Sequence, residues 1–451
     1  MIVNSKWLLV RRVLLPVVLC LSVVLVVVGC GSDDTGTTGG PETTAAVANS
    51  DTTAGPTSTE SATTAESTSP TEAASAFDGE IIIGAINSMT GANAMTAAER
   101  RWAEEAAVAD INADGGVDLG GKKMELKIRF IDDKTEPTEA AAAMEKLIKV
   151  EGIDVILGSN VLNLNLAAAT VAEKYQAYYH LDTCWTSAIR EQDYATVSDI
   201  FLEPAGAAEV PFNAMDLQPE AERPTRCATF MQDNIDGQGL AEGVKAMAEK
   251  HGYSVVMEEY FTPGTKDYSS AILKLKQNDI DALFVFTSPA DGITFVKQVR
   301  EQNYSPKFIF GWMGFWATEF MEALGPDSDY IGYDGFWFEG LPNPGCAELS
   351  QRFKNDHDGL DSVSIGLPYA AVQTLAMAME RAGSADALAV RDEIFGGTFE
   401  GTAMGDLTYD EDGIATTEML ALGWKDGKRV VWYPAVEGAG EFEWFVPWDE
   451  R

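Results

Sequence analysis

The stretch EIIIGAINSMTGANAMTAAERRWAEEAAVADINADGG, residues 80–116, joins a short apolar run to a long segment with helical spacing. Its opening EIIIGAI is typical of a buried strand, and the part from residue 97 repeats apolar residues at helical intervals before a glycine stop. Runs of the same two kinds follow in turn: MELKIRFIDD, TEAAAAMEKLIKV, IDVILG, LAAATVAEKY and AYYHLD. This repeated βαβ pattern predicts a parallel sheet with helices on both faces and right-handed crossovers.

The alternation restarts after Glu203. A helix is expected near 206–216, and the predicted strands that follow are RCATFMQ, SVVMEEYF, DALFVF and KFIFG, separated by helical segments. Beyond them GYDGFWFEGL has the pattern of a crossing strand. Helices are expected near 346–357, 368–382 and 386–395, and the strands TTEMLALGW and RVVWYP close the chain. The sequence therefore predicts two doubly wound α/β sheets.

Length and charge fit this interpretation. At roughly 150 residues per domain, 451 residues allow two lobes and an unstructured segment. There are 32 Lys and Arg against 70 Asp and Glu, a formal charge of -38. Such a surface repels nucleic acid and anionic lipid, because both need clustered basic residues. An acidic surface that keeps an exported protein soluble is the main interpretation; a salt-adapted surface or attraction of cations remains open.

The N-terminus has the features of an export signal. Three basic residues precede an uninterrupted apolar run, residues 13–28, which is shorter than the ~20 residues of a spanning helix. The run ends in Val-Gly-Cys at Cys30, which resembles the lipobox of bacterial lipoproteins. The resemblance implies a signal peptide over 1–29, acylation of Cys30 and an extracytoplasmic protein anchored to the cell membrane by that lipid. An uncleaved signal anchor is the alternative.

The segment that follows predicts a flexible stalk. Residues 31–76 are rich in Ser, Thr, Ala, Gly and Pro, contain no Lys or Arg, and have Val47 as their only sizeable apolar residue. Such a segment cannot bury enough surface to offset its ordering entropy. With Cys30 and Phe77 it forms the predicted disordered stalk, 30–77. Beyond it Cys184, Cys227 and Cys346 are an odd number, so at most one disulfide is expected.

The sequence contains no recognisable catalytic motif. G-x-S-x-G, H-E-x-x-H and C-x-x-C are absent, and the three histidines are isolated. Gly237, Gly239 and Gly243 follow a predicted strand, but the third glycine comes one residue too late for a dinucleotide fingerprint. We therefore expect neither an enzyme, a cofactor nor a metal site.

Several phrases together resemble one family. They are IIIGAINSMTGANA, AVADINADGGVDLGGKKMELKIRFIDD, DVILGS, DGQGLAEGVK, PGTKDYSSAILKLKQNDIDALFVF and GDLTYDEDG. In this order they are similar to type I periplasmic binding proteins of branched-chain amino acid uptake systems, over about residues 79–436. The resemblance implies two lobes joined by three crossovers with a solute between them. The first lobe would take 78–204 and 340–414, and the second 205–339 and 415–451.

The same resemblance implies a function. The chain would be a monomeric substrate-binding lipoprotein of an ABC importer. It would capture a branched-chain or hydrophobic amino acid or a related amphipathic compound and deliver it to the permease and ATPase subunits. A receptor for an aromatic acid or amide, or a ligand-sensing subunit for a membrane signalling partner, is the alternative.

Loops that follow strands are the candidate binding site, because ligands of open parallel sheets lie beyond the carboxyl ends of the strands. In the first lobe the candidates are Ser88, Thr90, Asn160, Asn163, Thr183 and Trp185. Relatives that bind amino acids usually bring serine or threonine hydroxyls to the second of these loops, where this chain has Leu162 and Asn163. Helix capping and simple turns are the competing interpretations of these side chains.

In the second lobe the candidates are Asp236, Ser288, Trp312 and Met313. Met313 stands where relatives that bind amino acids typically place an acidic residue. An ammonium group would then need another carboxylate, with Asp236, Asp182 or Asp291 as candidates, because a buried unpaired charge is costly.

Aromatic residues point to an apolar ligand. Trp185 from one lobe and Trp312 and Trp316 from the other could sandwich a flat or apolar solute. Residues 312, 316 and 320 are also spaced as the core stripe of one helix, so a purely structural role for these rings remains open.

Overall fold

The computed structural model describes residues 77–436 and 438–451. The predicted signal peptide, Cys30 and the predicted stalk up to residue 76 lie outside these residues. The strands are β1 (Gly79–Asn87), β2 (Val117–Leu119), β3 (Lys122–Asp132), β4 (Val155–Leu157), β5 (Tyr178–Leu181), β6 (Val197–Phe201), β7 (Cys227–Gln232), β8 (Val255–Phe261), β9 (Ala282–Phe286), β10 (Phe308–Gly311), β11 (Gly332–Gly335), β12 (Thr398–Thr402), β13 (Gly405–Thr408), β14 (Ile414–Thr416), β15 (Leu420–Lys425) and β16 (Lys428–Tyr433).

The helices alternate with these strands as the sequence periodicity predicts. They are α1 (Ala94–Ala113), α2 (Pro137–Lys146), α3 (Leu162–Tyr175), α4 (Thr186–Arg190), α5 (Pro204–Met215), α6 (Ile235–His251), α7 (Ser269–Gln277), α8 (Pro289–Glu301), α9 (Thr318–Leu324), α10 (Cys346–Asp356), α11 (Gly366–Ala382) and α12 (Ala387–Ile394). Helix α6 begins at a side-chain cap, because Asn234 accepts a hydrogen bond from the Gly237 N–H at 2.8 Å.

The first sheet has the strand order β14-β6-β5-β4-β1-β3-β2. Its pairs are parallel except for β2 with β3. The strands β4, β5 and β6 are buried along their whole length, which explains why their sequences are continuous apolar runs rather than alternating ones.

The second sheet has the order β16-β15-β11-β10-β9-β7-β8. Strands β7 to β11 pair in parallel, and β15 and β16 add antiparallel strands at one side. In each sheet the strand that comes first along the chain lies inside the sheet: β1 lies between β4 and β3, and β7 lies between β9 and β8. This is the doubly wound arrangement, whose crevice opens at the carboxyl ends beside that strand.

The chain passes between the two sheets three times: after β6, between β11 and β14, and between β14 and β15. The predicted fold, two wound α/β lobes joined by three crossovers, is thereby confirmed. The residue boundaries of the lobes stay predictions.

Some local features differ from the expectations. The predicted strand GYDGFWFEGL ends at Gly335, because Phe336 and Trp337 turn into buried contacts instead of continuing the ladder. The sequence did not predict the hairpin of β12 and β13 or the short strand β14. These strands have too few residues for the alternation of apolar and polar residues to be recognised.

All three cysteines of the described chain are buried and unpaired. The one disulfide that the sequence allowed therefore does not form among Cys184, Cys227 and Cys346. Within the described residues, no helix combines the length and apolarity needed to cross a bilayer.

Candidate functional site

A narrow cavity lies between the two sheets, at the carboxyl ends of their strands. Its volume is about 30 Å³, which is space for about one water molecule, so a larger solute requires the two lobes to separate. Eleven residues line it: Asn160, Val161, Thr183, Trp185, Phe201, Asp236, Phe286, Trp312, Met313, Trp316 and Asp334. Both sheets contribute, so any molecule in this cavity would contact both lobes.

The first sheet contributes residues that follow three adjacent strands. Asn160 and Val161 come after β4, Thr183 and Trp185 come after β5, and Phe201 is the last residue of β6. Because these strands are parallel neighbours, their ends meet at one edge.

The second sheet contributes the opposite wall. Asp236 lies in the first turn of α6, directly after β7, and Phe286 ends β9. Trp312 and Met313 follow β10, and Asp334 is part of β11. The residues after β4, β5, β7 and β10 therefore converge on one cavity.

A buried ion pair fixes the loop that carries Thr183 and Trp185. The Arg100 guanidinium in α1 contacts the Asp182 carboxylate and lies 3.0 Å from Glu104. Burial raises the pKa of Asp182 and raises that of Glu104 to about 8, although Arg100 opposes both shifts. The ion pair with Arg100 therefore holds this loop on the side that faces away from the cavity.

Aromatic rings form a continuous wall across the two sheets. Trp185 packs on Phe201 with ring centroids 5.3 Å apart, and Phe201 meets Phe336 at 6.0 Å. Phe336 in turn meets Trp316 edge-on at 5.4 Å. Trp312 is 1% exposed and packs edge-on against the core residue Phe310 at 5.3 Å. These rings are thus core and cavity wall at once.

Asp236 is the buried acid at the contact between the lobes. It is 7% exposed, and it faces the backbone N–H of Leu162 at the start of α3. The Trp185 indole N–H is near enough to lower the pKa of this acid but lies outside hydrogen-bonding geometry. Burial outweighs both donors and raises the pKa of Asp236 to about 7.

Asp334 is a second buried acid in the same cavity. It accepts a hydrogen bond from the Trp316 indole N–H, while its Oδ2 has no partner among the described residues. Burial raises the pKa of Asp334 well above its ordinary range, because no cation lies close enough to compensate.

Comparison with known proteins identifies the family. The sequence profile described as "Periplasmic binding protein" matches residues 80–429. The chain belongs to the periplasmic binding protein family. A relative is Leu/Ile/Val-binding protein homolog 3 of Brucella melitensis, 26% identical over 359 residues, covering 79% of this chain and 95% of that protein. These findings confirm the resemblance to type I periplasmic binding proteins of the branched-chain amino acid transporter family.

Solved structures show the same fold. The leucine-binding protein LivK of Thermotoga maritima has a TM-score of 0.69 at 21% identity, covering 79% of this chain and 98% of its own. A solute-binding protein of an ABC transporter from R. palustris, in complex with benzoate, has a TM-score of 0.68 at 18% identity, covering 81% and 99%. Family membership makes this periplasmic binding protein a solute-binding protein and indicates an extracytoplasmic location.

Six of the sequence-predicted site residues line the cavity of this periplasmic binding protein. They are Asn160, Thr183, Trp185, Asp236, Trp312 and Met313. Trp316, which the sequence placed either in the cavity or in the core, also lines it. Val161, Phe201, Phe286 and Asp334 were not predicted. Three of these four lie within strands, among apolar residues that the sequence pattern assigns to the core. Their position near the end of a strand was the one feature that could have marked them as cavity residues.

Four predicted residues lie outside the cavity lining, and the side chains of three of them serve other contacts. Ser88 donates to Asp133 at 2.7 Å, which ties the loop after β1 to the loop after β3. Thr90 donates to Asp132 at 2.7 Å on the surface. Ser288 caps α8. Asn163 lies in the first turn of α3 and does not reach the cavity.

Two of the three carboxylates proposed to pair with an ammonium group are also engaged elsewhere. Asp182 pairs with Arg100. Asp291 accepts hydrogen bonds from Gln232 at 3.1 Å, from Tyr268 at 3.0 Å and from the Gly264 N–H at 2.9 Å. Of the three, only Asp236 faces the cavity.

The side chains that line the cavity have the chemistry of a small-molecule binding site. Across the described residues, no group of three or more His, Cys, Asp or Glu side chains has the arrangement of a metal site. The lining combines five aromatic rings, a methionine and two carboxyl groups. Such a surface offers apolar contact area and a few oriented polar atoms, as small-molecule pockets do.

Proposed function

We propose that this protein is the lipid-anchored substrate-binding component of an ABC importer. It captures a branched-chain or hydrophobic amino acid, or a related amphipathic compound, between its lobes and delivers it to the permease. One observation carries the proposal: the cavity lies at the strand ends of both sheets and takes side chains from each.

The mechanism is a ligand-dependent closure of two lobes. A solute that contacts Trp185 on one side and Trp312 on the other binds the closed form better than the open form, and so shifts the population toward closure. The closed form then offers the permease a surface that the open form lacks. Family membership supports this role, since the relatives are named as Leu/Ile/Val-binding proteins.

A receptor for an aromatic acid or amide is the second candidate. The five rings that line the cavity favour it, because flat ligands gain most from stacked aromatic walls. The benzoate complex of the R. palustris protein, which shares the fold, is consistent with such a ligand in this architecture.

Thermal shift measurements with the full chain test the solute-binding role. The panel contains leucine, isoleucine, phenylalanine, benzoate and benzamide. A solute at 100 times its Kd stabilises the folded protein by about 2.7 kcal/mol, which is a readily measured increase in Tm. A panel that produces no increase in Tm, together with no heat in calorimetric titration, would contradict the role.

The lipid anchor has its own test. We propose that Cys30 is acylated and holds the protein at the membrane. Cys30→Ala should abolish labelling by a radioactive fatty acid and move the protein from the membrane fraction to the soluble fraction. Full membrane retention without labelling would indicate an uncleaved signal anchor instead.

A further inference from the structure

The cavity is acidic and contains no basic side chain. Its two ionisable residues, Asp236 and Asp334, are both buried. Among the described residues that line it there is no lysine, arginine or histidine. The nearby Arg100 lies behind the loop after β5, where it is neutralised by Asp182 and Glu104. A bound anion would therefore meet two carboxyl groups and no compensating cation.

The unpartnered polar atoms of the cavity are mostly acceptors. Within the described structure, Asn160 Oδ1 and Asp334 Oδ2 are buried and have no hydrogen-bond partner. Buried polar atoms without partners are costly, so Asn160 Oδ1 requires a donor, and a cation beside Asp334 Oδ2 would stabilise the ionised carboxyl group that burial disfavours. A ligand that carries N–H groups or a positive charge supplies that donor, and a carboxylate does not.

Most donors of the lining are already used. The Trp316 indole N–H donates to Asp334, the Trp312 indole N–H to the Ala207 carbonyl oxygen at 3.4 Å, and Asn160 Nδ2 to Thr96 Oγ1 at 2.7 Å. The Trp185 indole N–H has no partner, but it faces Asp236. The Thr183 hydroxyl lies 3.5 Å from the Ser159 carbonyl oxygen and 3.4 Å from Asp182, so few side-chain donors remain to hold a ligand carboxylate.

An acid also lies near the helix end that could bind a ligand carboxylate. The backbone N–H of Leu162 at the start of α3 faces the Asp236 carboxyl group, which comes from the other lobe. A protein carboxyl group thus lies where a helix N-terminus would attract an anion. A zwitterionic amino acid would have to displace it.

Aromatic faces complete a site for positive charge. Trp185, Trp312, Trp316, Phe201 and Phe286 surround the two acids. An ammonium group is attracted to the faces of such rings, and most strongly to indole. The apolar part of the same ligand gains contact area from the rings and from Met313.

Resting on the solute-binding role proposed above, we propose that the solute is a small organic cation: an ammonium compound with an apolar body and no free carboxylate. Asp236 and Asp334 pair with the charged nitrogen, Asn160 Oδ1 accepts one N–H, and the tryptophans enclose the apolar part. The strongly acidic surface, with a formal charge of -38, attracts such a ligand and repels anions.

Two ligand series that differ only in charge test the class. In the first, 3-methylbutylamine, leucine and 4-methylpentanoate share a branched alkyl body; in the second, 2-phenylethylamine, phenylalanine and 3-phenylpropanoate share a phenyl ring. Calorimetric titration of the full chain should give an amine that binds at least tenfold more tightly than its zwitterion, with no binding of the acid. A zwitterion or acid that binds more tightly than its amine overturns the inference.

The same runs separate this inference from the solute-binding role. If leucine, phenylalanine or either acid binds while both amines fail, the solute-binding role stands and the cation inference is wrong. If no member of either series binds, the cation inference is wrong, and the thermal shift panel decides the solute-binding role.

Substitution of the two acids tests their part in binding. Asp236→Asn and Asp334→Asn should each weaken amine binding at least tenfold, while Asp449→Asn, on the exposed C-terminal segment, should leave it unchanged. Cooperative thermal unfolding identifies the folded variants. If Asp334→Asn does not fold, Asp236→Asn alone tests the role of the acids. Parent-like amine affinity in a folded Asp236→Asn and a folded Asp334→Asn variant overturns the assignment.

Discussion

The carboxyl group of Asp236 faces the backbone N–H of Leu162 across the boundary between the two lobes. Asp236 lies in the first turn of α6, and Leu162 is the first residue of α3. Two helix N-termini therefore approach each other with one acidic side chain between them; the partial positive charge of both ends favours its ionised form, but burial outweighs this effect.

The titration of Asp236 makes stability depend on pH. Burial raises its pKa from 3.8 to about 7, so the folded protein binds more protons than the unfolded chain between those two values. The contribution of Asp236 to stability is thus fully present below pH ~4 and is lost as pH rises through about 7. Asp236→Asn removes this titration, and the fall in Tm between pH 5 and 8 should be smaller in the variant than in the parent protein. Parallel curves of Tm against pH would contradict the raised pKa.

The buried charge of Arg100 should be essential for stability. Arg100→Met leaves Asp182 and Glu104 buried without a cation, which costs about 3–5 kcal/mol in the free energy of unfolding. The neighbour Arg101 provides a matched control, because it pairs with Glu105 at 2.9 Å on the exposed face of the same helix. Arg101→Met should cost about 0.5 kcal/mol or less. Urea unfolding of the two variants checks the contrast, and equal losses would contradict it.

Gly237 should not tolerate a side chain. A Cβ there would lie 2.1 Å from the Gln232 carbonyl oxygen at the end of β7, so the first turn of α6 and Asp236 with it would have to shift. Gly237→Ala should therefore lower the stability by about 1–3 kcal/mol and weaken ligand binding.

Gly239 provides the control for this substitution. Its nearest contact would be the Pro204 side chain at 3.8 Å, so Gly239→Ala fits and should stabilise α6 by up to about 1 kcal/mol. Thermal unfolding and calorimetric titration of both variants make the test. Equal behaviour of the two variants would show that the start of α6 does not position Asp236.

Trp185 should contribute to ligand binding directly. Its ring packs on Phe201 at 5.3 Å and forms part of the cavity wall from the first lobe. Trp185→Ala should weaken the best ligand by about 1 kcal/mol or more, the contribution of one stacked ring. Trp448→Ala, near the C-terminus and outside the cavity, is the control. Calorimetric titration measures both, and unchanged affinity in Trp185→Ala would remove this residue from the site.

Much of the architecture could be predicted from the sequence, because the alternation of strands and helices is a local property. The continuous apolar runs of β4, β5 and β6 indicate strands buried on both faces, and parallel strands bring their ends together. Loop residues such as Trp185 and Asp236 could therefore be assigned to one region without coordinates.

Residues inside strands could not be assigned in the same way. Phe201, Phe286 and Asp334 lie within β6, β9 and β11, and a sequence pattern gives a strand residue the same appearance whether it faces the core or a cavity. Ser88 shows the opposite case. It follows β1 as a ligand-binding residue would, but the neighbouring strand β3 brings Asp133 within 2.7 Å and engages its hydroxyl group.

The sequence by itself determined the two wound sheets, the protein family and the loops that follow the strands. Periodicity and motif order are local properties that can be read along the chain. Only the tertiary structure decided which polar atoms are free to bind. Asp182 is paired with the Arg100 guanidinium whereas Asp334 has no cation beside it, because partners from distant parts of the chain are assigned by packing and not by spacing along the sequence.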